Sequence, residues 1–266
     1  MPATGRFSPG IIDYNYMSSR YQSGRALSGE AAKTWLAAVA PFVQRSARPR
    51  ILDLGAGTGR FAALFALSLE ATVVGIEPST GMLAVAANHE KPNNLAYLAG
   101  TAECIPLADA TCDLAWLSHV WHHIRDHRAC ANDLRRVLRR GGHVLVRGTF
   151  GDRLEGFPTL FQFWPGARAI CEQLPTIGET VGVFEASGLE LAQHRRIQQQ
   201  TAATLSEFAK RTQSRADSAL ALISESEFQE GQTAIETAAA VERRPLPVVE
   251  VIELLVFRNG SIRNAA

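Results

Sequence analysis

Chemistry can be read first at Asp53-Leu-Gly55-Ala-Gly57-Thr-Gly59, an acidic side chain followed by three alternate glycines. Glycine lets backbone approach a ligand closely, and a helix that starts after such a turn offers unpaired N–H groups. A second acid, Glu77, closes the run Thr72-Val-Val-Gly-Ile-Glu77, about one helix and one strand further on. A carboxylate at the tip of a second strand can accept both hydroxyls of a ribose. A third group is formed by His119, His122, His123 and His127. On one continuous helix these would give i,i+4 pairs suited to a metal. No Glu follows the first histidine as H-E-x-x-H requires, and no metal is expected.

The glycine spacing separates two kinds of ligand. In a dinucleotide-binding turn, G-x-G-x-x-G, the third glycine would fall at position 60, which is Arg60; here it comes one residue early, at Gly59. That disfavours a pyrophosphate ligand.

Elements of an α/β protein must position these groups. Ile51, Leu52 and Leu54 form a short apolar run of the kind buried on both faces of a sheet, and Phe61, Leu64, Phe65 and Leu67 follow at helical spacing. Strand, glycine turn and helix together open a βαβ unit. Residues 72–77, 95–99, 112–118 and 143–149 read as further strands, and Pro78-Ser79 opens a helix carrying Met82. An amphipathic helix is predicted from Ser28 to Val43. Another is predicted from Asp126 to a stop at Gly141-Gly142, with Arg139 and Arg140 near its end, where cations suit the helix dipole. Beyond Phe150 the pattern predicts an aromatic insertion over 151–175, a helix over 177–188 and a strand over 189–201. A largely helical stretch over 204–242 and a final strand from Pro247 to Phe257 complete it.

Asp53-Leu-Gly-Ala-Gly-Thr-Gly59 resembles the first motif of class I S-adenosylmethionine-dependent methyltransferases, D/E-x-G-x-G-x-G. Three further blocks resemble the small-molecule branch of that family, the type 11 methyltransferase domain that includes quinone methyltransferases. Gly100-Thr-Ala-Glu-Cys-Ile-Pro-Leu107 is similar to G-D-A-x-x-L-P-F, with Thr101 where Asp is common. His119-Val-Trp-His-His-Ile124 is similar to x-x-H-H-(I/L/V), and Arg136-Val-Leu-Arg-Arg-Gly-Gly-His-Val-Leu-Val146 to R-V-L-K-P-G-G-x-L-x-(I/V), with Arg140 for proline. The resemblance covers about residues 45–150.

It implies a Rossmann-like, seven-stranded, mostly parallel sheet with helices on both faces, a partly helical cap, and a last strand lying antiparallel between its neighbours. The implied cofactor is S-adenosylmethionine. Asp53 would meet its ammonium, the backbone of Gly55, Ala56 and Gly57 its methionine end, and Glu77 its ribose. Met82 would flank the adenine, though it is equally suited to the core. With Thr101 in place of the usual acid, Ala102 would offer a backbone N–H and the amino contact of Glu103 is left open. Pro78 would be a further cofactor contact. Ser118 and His119 would border the sulfonium, and His119 and His122 are the candidate bases. Residues 1–28, with Tyr14, Tyr16, Arg20, Tyr21 and Arg25, would fold over the cofactor as a lid, Arg25 facing its carboxylate. Residues 29–266 would form the catalytic domain, capped by insertions at about 151–175 and 204–242. The activity implied is methylation of an O, N or C nucleophile on a small molecule, such as a secondary metabolite. The alternatives are a protein of this fold that binds the cofactor without methylating (a pericyclase, a decarboxylase or a regulatory binder) and a nucleotide-dependent oxidoreductase.

Composition bounds the rest. At 266 residues the chain can bury a full core, and its net charge of +1 gives no field for nucleic acid or an anionic membrane. The (N/D)-P-P-(Y/F/W) segment that holds a flipped base is replaced by Ser118-His-Val-Trp-His. Four cysteines without C-x-x-C spacing, and the lack of a basic-then-apolar leader or a long apolar run, predict a cytoplasmic protein; a monomer or homodimer is expected.

Overall fold

The computed structural model describes residues 14–15, 27–43, 48–88 and 92–260. Of the expected lid, Tyr16, Arg20, Tyr21 and Arg25 lie outside the described residues.

Apolar runs become most strands of one seven-stranded sheet, and the largely polar, exposed stretch 189–202 becomes one of its edges. The strands are β1 (Arg50–Leu54), β2 (Thr72–Glu77), β3 (Leu95–Ala99), β4 (Cys112–Ser118), β5 (Leu138–Gly148), β6 (Leu189–Ala202) and β7 (Val248–Asn259). Their order is β3-β2-β1-β4-β5-β7-β6. The first five run parallel, and β7 lies antiparallel between β5 and β6, as the resemblance implies. Strand order reverses between β1 and β4, so the crevice for a ligand opens at their carboxyl ends.

Alternation along each strand feeds two cores. Ile51 faces a cluster built with α1 (Gly29–Val43) and α2 (Arg60–Ser68), while Leu52 and Leu54 face one built with α4 (His127–Val137) and α7 (Ile177–Ala186). In the first, the Trp116 ring meets Trp35, Phe61 and Phe65 at centroid distances of 5.7, 5.0 and 5.5 Å. In the second, Phe184 stacks between Trp121 and Phe257 at 4.8 and 4.2 Å. A short helix α3 (Thr80–Ala87) follows β2, capped by Ser79, whose Oγ accepts from Met82 N–H.

The two insertions expected as a cap become helices that hold one another. Residues 151–175 contain α5 (Pro158–Phe163) and α6 (Pro165–Cys171), each opened by a proline whose missing N–H costs nothing at that position. Residues 204–242 contain α8 (Leu205–Thr212), α9 (Ser218–Leu222) and α10 (Glu225–Val241), capped by Thr204, Asp217 and Ser224. Buried Trp164 donates to the Phe228 carbonyl at 3.1 Å, and Gly166 N–H donates to Glu227 at 2.7 Å, joining the two groups.

One boundary differs from expectation. α4 ends at Val137, and Arg139 and Arg140 belong to β5. Gly141-Gly142 does not stop a helix but sits in an irregularity where β5 pairs with β4 first through Cys112↔Leu138 and then through Leu114↔His143. Gly141 takes φ 79°, and a Cβ on Gly142 would lie 2.9 Å from the Arg139 and Asp113 carbonyls. Arg139 reaches the Asp113 carboxylate at 2.9 Å, and strand pairing of this kind is not visible in local sequence.

Gly59 is the tightest point of the first turn. It has φ 81°, and a Cβ there would run into the Tyr97 hydroxyl, which itself donates to the Gly59 carbonyl at 3.3 Å. Left-handed backbone costs a non-glycine residue about 1–2 kcal/mol, before any displacement of Tyr97. Gly59→Ala is expected to lower Tm by roughly 3–8 °C in thermal unfolding; an unchanged Tm would show that the turn relaxes freely.

Candidate active site

Asp53 and Glu77 are carried to the carboxyl edge of the sheet on neighbouring parallel strands, and both are buried. Asp53 lies on the same face as Ile51, beside its register partner Trp116. Burial pushes its carboxyl up from 3.8 to about 7; a backbone hydrogen bond from Ala62 and the Arg60 guanidinium pull it down, and Glu77 pushes it up. Among the described residues, Asp53 Oδ2 and Trp116 Nε1 have no hydrogen-bond partner. A buried carboxylate oxygen left this way costs free energy, so the position suits a ligand that supplies a cation or a donor.

Glu77 is held differently. Its Oε2 accepts from Gly57 N–H and its Oε1 from Ser79 N–H, both at 2.9 Å. Burial raises its carboxyl, and those two N–H groups lower it. Each oxygen keeps a second lone pair for a donor such as a hydroxyl. Gly55 and Ala56 N–H both donate to the Ile76 carbonyl, at 2.8 and 3.0 Å, so the glycine turn is anchored to β2.

From this edge a cavity of about 630 Å³ opens, lined by Gly55, Pro78, Thr101, Ala102, Glu103 and Val120, among others. Its outer wall, the 101–109 loop, is fixed by one arginine. Arg136 donates to the Ile105 and Leu107 carbonyls at 2.9 and 2.7 Å, and to Asp133 and Asp109 at 2.6 and 2.8 Å. Glu103 accepts from Arg125 N–H at 3.1 Å, which ties the loop to the segment after β4. Asn15 Oδ1 accepts from Ser79 Oγ at 2.8 Å and Gly81 N–H at 3.0 Å, so the chain near its beginning docks on the start of α3.

A second cavity adjoins the first. It is lined by His119 and His122, by Arg147 and Thr149 from the end of β5, and by cap residues including Phe157 and Phe208. Tyr14 and His123 line both cavities, and their side chains are hydrogen-bonded at 2.7 Å. His119 has φ 54°, a left-handed conformation for a non-glycine residue, and its N–H donates to the Arg147 carbonyl at 2.8 Å. His122 is buried against His123, with ring centroids 4.0 Å apart. His127 turns away: it stacks on Trp121 at 4.2 Å and bonds the Trp121 carbonyl at 2.9 Å, and burial lowers its pKa. The four histidines therefore do not share a helix face, and no group of His, Cys, Asp or Glu among the described residues has the arrangement of a metal site.

Of the residues singled out in the sequence, Asp53, Gly55, Ala56, Gly57 and Glu77 converge at the β1 and β2 tips, and Pro78, Thr101, Ala102 and Glu103 edge the first cavity. Met82 is packed at 2% exposure on α3 and does not appear in the cavity wall. Ser118 accepts from Arg147 at 3.0 Å. Tyr21 and Arg25 lie outside the described residues. Local patterns did not point to Asn15 or Gln199, whose partners are far off in the chain; Arg147 had a legible sign, a charge inside the apolar run of β5.

Residues 52–146 match the family described as "Methyltransferase domain". The methyltransferase GfsG of Streptomyces halstedii is 30% identical over 172 residues, covering 60% of this chain and 59% of that protein. The ubiquinone/menaquinone biosynthesis C-methyltransferase UbiE of Syntrophotalea carbinolica is 27% identical, over 68% of this chain and 86% of that one. The chain spans about half to three fifths of the length of the first curated relatives it matches. Among solved structures, the [4+2]-cyclase SpnF superposes with a TM-score of 0.61 at 20% identity, covering 89% of this chain and 84% of that one. No helix of the described residues is long and apolar enough to cross a membrane.

The Asp53 shift has a direct consequence for stability. Between about pH 4 and pH 7 the folded chain keeps a proton on Asp53 that the unfolded chain has released, so this group makes the fold less stable as pH rises, with the full cost present above pH 7. Asp53→Asn removes the titration. Its stability relative to the native protein, measured without ligand by urea unfolding, is expected to rise from pH 5 to pH 8 by up to about 3 kcal/mol. A difference that does not change with pH would place the charge of Asp53 in solvent.

Proposed function

Residues 52–146 form a class I S-adenosylmethionine-dependent methyltransferase domain, and from that premise we propose that the chain methylates an O, N or C nucleophile of a small molecule, such as a secondary metabolite. The observation that carries the reading is the meeting of two cavities at Tyr14 and His123. One opens at the β1 and β2 tips, lined by Gly55, Pro78 and the 101–103 turn, with the buried carboxylates Asp53 and Glu77 just behind its wall; the other is capped and holds His119 and His122.

S-adenosylmethionine supplies an electrophilic methyl group on a sulfonium. The chain supplies places. The charge of Asp53 suits the ammonium, and the orphaned Oδ2 is the fit between residue and group. Glu77 accepts the ribose hydroxyls beyond its two N–H contacts, and Gly55, Ala56 and Gly57 admit the tail without side-chain collision. Pro78, Thr101, Ala102 and Glu103 border the base, with Met82 packed behind. His119 lines the acceptor cavity and Ser118 is bonded to Arg147 beside it; Tyr21 and Arg25, outside the described residues, are assigned to the cofactor through the lid role given to residues 1–28. Residues 29–266 then act as one catalytic domain whose two insertions cap the acceptor.

Holding two reactants in line contributes on the order of 7–11 kcal/mol, and a general base about 10²–10⁴-fold, or roughly 3–5 kcal/mol. Positioning is therefore the main contribution, and His119 or His122 as base the smaller one. The acceptor is a small molecule and not a nucleic acid, since the net charge is +1 and the base-holding segment is replaced. The chain acts as a cytoplasmic monomer or homodimer. SpnF shares the fold and is a cyclase; a likeness at 20% identity carries no activity across.

S-adenosylhomocysteine is expected to raise Tm, and NAD to leave it unchanged; stabilisation by NAD alone would overturn the reading. Glu77→Ala should weaken adenosylhomocysteine at least about tenfold by calorimetry, because charge-assisted acceptors are lost. The product must gain the mass of one methyl, and an acceptor turned over without that gain would make the chain a non-methylating member of the fold. His122→Ala should reduce turnover more than cofactor affinity; unchanged turnover removes His122 from the reaction.

A further inference from the structure

The second cavity contains a buried cation that the methyl-transfer reading does not use. Arg147 ends the apolar run Val144-Leu145-Val146 of β5 and is 3% exposed, yet it lines the cavity wall. Burying a guanidinium is expensive, and this one is held in a fixed pose. Its Nη1 donates to Ser118 Oγ at 3.0 Å and its Nη2 to Gln199 Oε1 at 2.7 Å. Its plane lies near the Trp35 ring at 4.4 Å and the Phe61 ring at 5.5 Å, an environment that suits guanidinium better than ammonium. Gln199 in turn accepts from Trp35 Nε1 at 2.7 Å, so α1, β5 and β6 all set the arginine.

Among the described residues that line the cavity, three are arginines and two are acids. Arg60, Arg147 and Arg211 line this cavity against the acids Asp217 and Glu250. Those two acids have structural duties: Asp217 caps α9 through Ala219 N–H at 2.9 Å, and Glu250 accepts from Thr201 Oγ1 at 2.8 Å. Arg147 is also the register partner of Ser118, directly before His119, and its carbonyl receives the His119 N–H. The fixed charge and the candidate base are thus presented side by side at the ends of β4 and β5.

We propose that the methyl acceptor carries an anionic oxygen group, a carboxylate or a phosphate, and that Arg147 is the residue that selects it, with Gln199 and Ser118 as its positioning residues. The inference rests on the reading of the second cavity as the acceptor site. Such a group places its charge against the guanidinium and leaves the rest of the acceptor against Phe157, Leu160 and Phe208 of the cap.

The test uses the full chain saturated with S-adenosylhomocysteine and calorimetric titration of 4-hydroxybenzoate, 4-hydroxybenzamide and inorganic phosphate. The acid is expected to bind at least roughly tenfold tighter than its neutral amide, from the charge-assisted contact. Binding by phosphate alone supports the same site with phosphate as the anion. Arg147→Gln should abolish the preference for the anion while leaving adenosylhomocysteine affinity intact, and Arg147→Lys should restore part of it. Equal binding of acid and amide, or binding by none of the three probes, overturns the proposal. So does a parallel loss of adenosylhomocysteine in Arg147→Gln, which would assign the arginine to the cofactor. If that variant does not fold, the comparison of acid with amide on the native chain decides alone. Failure of adenosylhomocysteine to bind the native chain would instead overturn the reading beneath it, and the proposal with it.

Discussion

A carboxylate kept out of water with one oxygen unanswered is the constraint on which this structure turns. Asp53 sits at the end of β1 at 2% exposure, with Oδ2 unpartnered among the described residues. A protein gains nothing in stability from such a group; a cationic ligand makes the burial worthwhile. Glu77, one strand away, shows the contrast. Its carboxylate is buried too, but Gly57 and Ser79 N–H groups answer it, so it can hold the glycine turn in shape before any ligand arrives. One acid is reserved and the other is braced. The arrangement needs parallel strands whose tips lie together, and the reversal of strand order beside β1 provides the crevice above them.

The parts further from the acids serve to keep that crevice in one shape. Arg136 donates to two carbonyls of the 101–109 loop, to Asp109 within it and to Asp133 on α4, which makes a loop without regular hydrogen bonding behave as a wall. Asn15 joins Ser79 in capping α3 from a position 64 residues earlier, so the approach of the chain's beginning is tied to the same strand tip that presents Glu77. Positive φ gathers at the site: Gly55, Gly57 and Gly59 adopt it without strain, and His119, a non-glycine, adopts it too.

Legibility in the sequence followed the range of the interactions. β2, β3 and β4 could be read to the residue because each is a short apolar run closed by a turn residue or an acid within the same ten positions. The Gly141-Gly142 pair was misleading for the opposite reason. Locally it looks like a helix stop, but its role is set by the pairing of Leu138 with Cys112 across the sheet. The half of the site proposed for the cofactor was visible because motif residues lie in order along β1, β2 and the loops after β3 and β4. Asn15 and Gln199 were not, since the Gln199–Trp35 bond spans 164 positions and no spacing rule reaches that far.

The limit of legibility also marks a division of labour. The region matching the methyltransferase domain ends at Val146, and Arg147 is the next residue. Up to that point the chain builds a surface suited to a cofactor that many proteins share, so its residues are constrained by a common ligand. Beyond it, β6 and β7 return antiparallel and bring Gln199, Thr201 and Glu250 to the end of β5, while the cap helices close over them. Those residues line the second cavity and not the first. On the proposed reading, a chain built this way could change its acceptor by altering strands β6 and β7 and the cap, because none of them carries Asp53, Glu77 or the glycine turn. The charge at the junction, Arg147, is where the shared half hands over to the particular one.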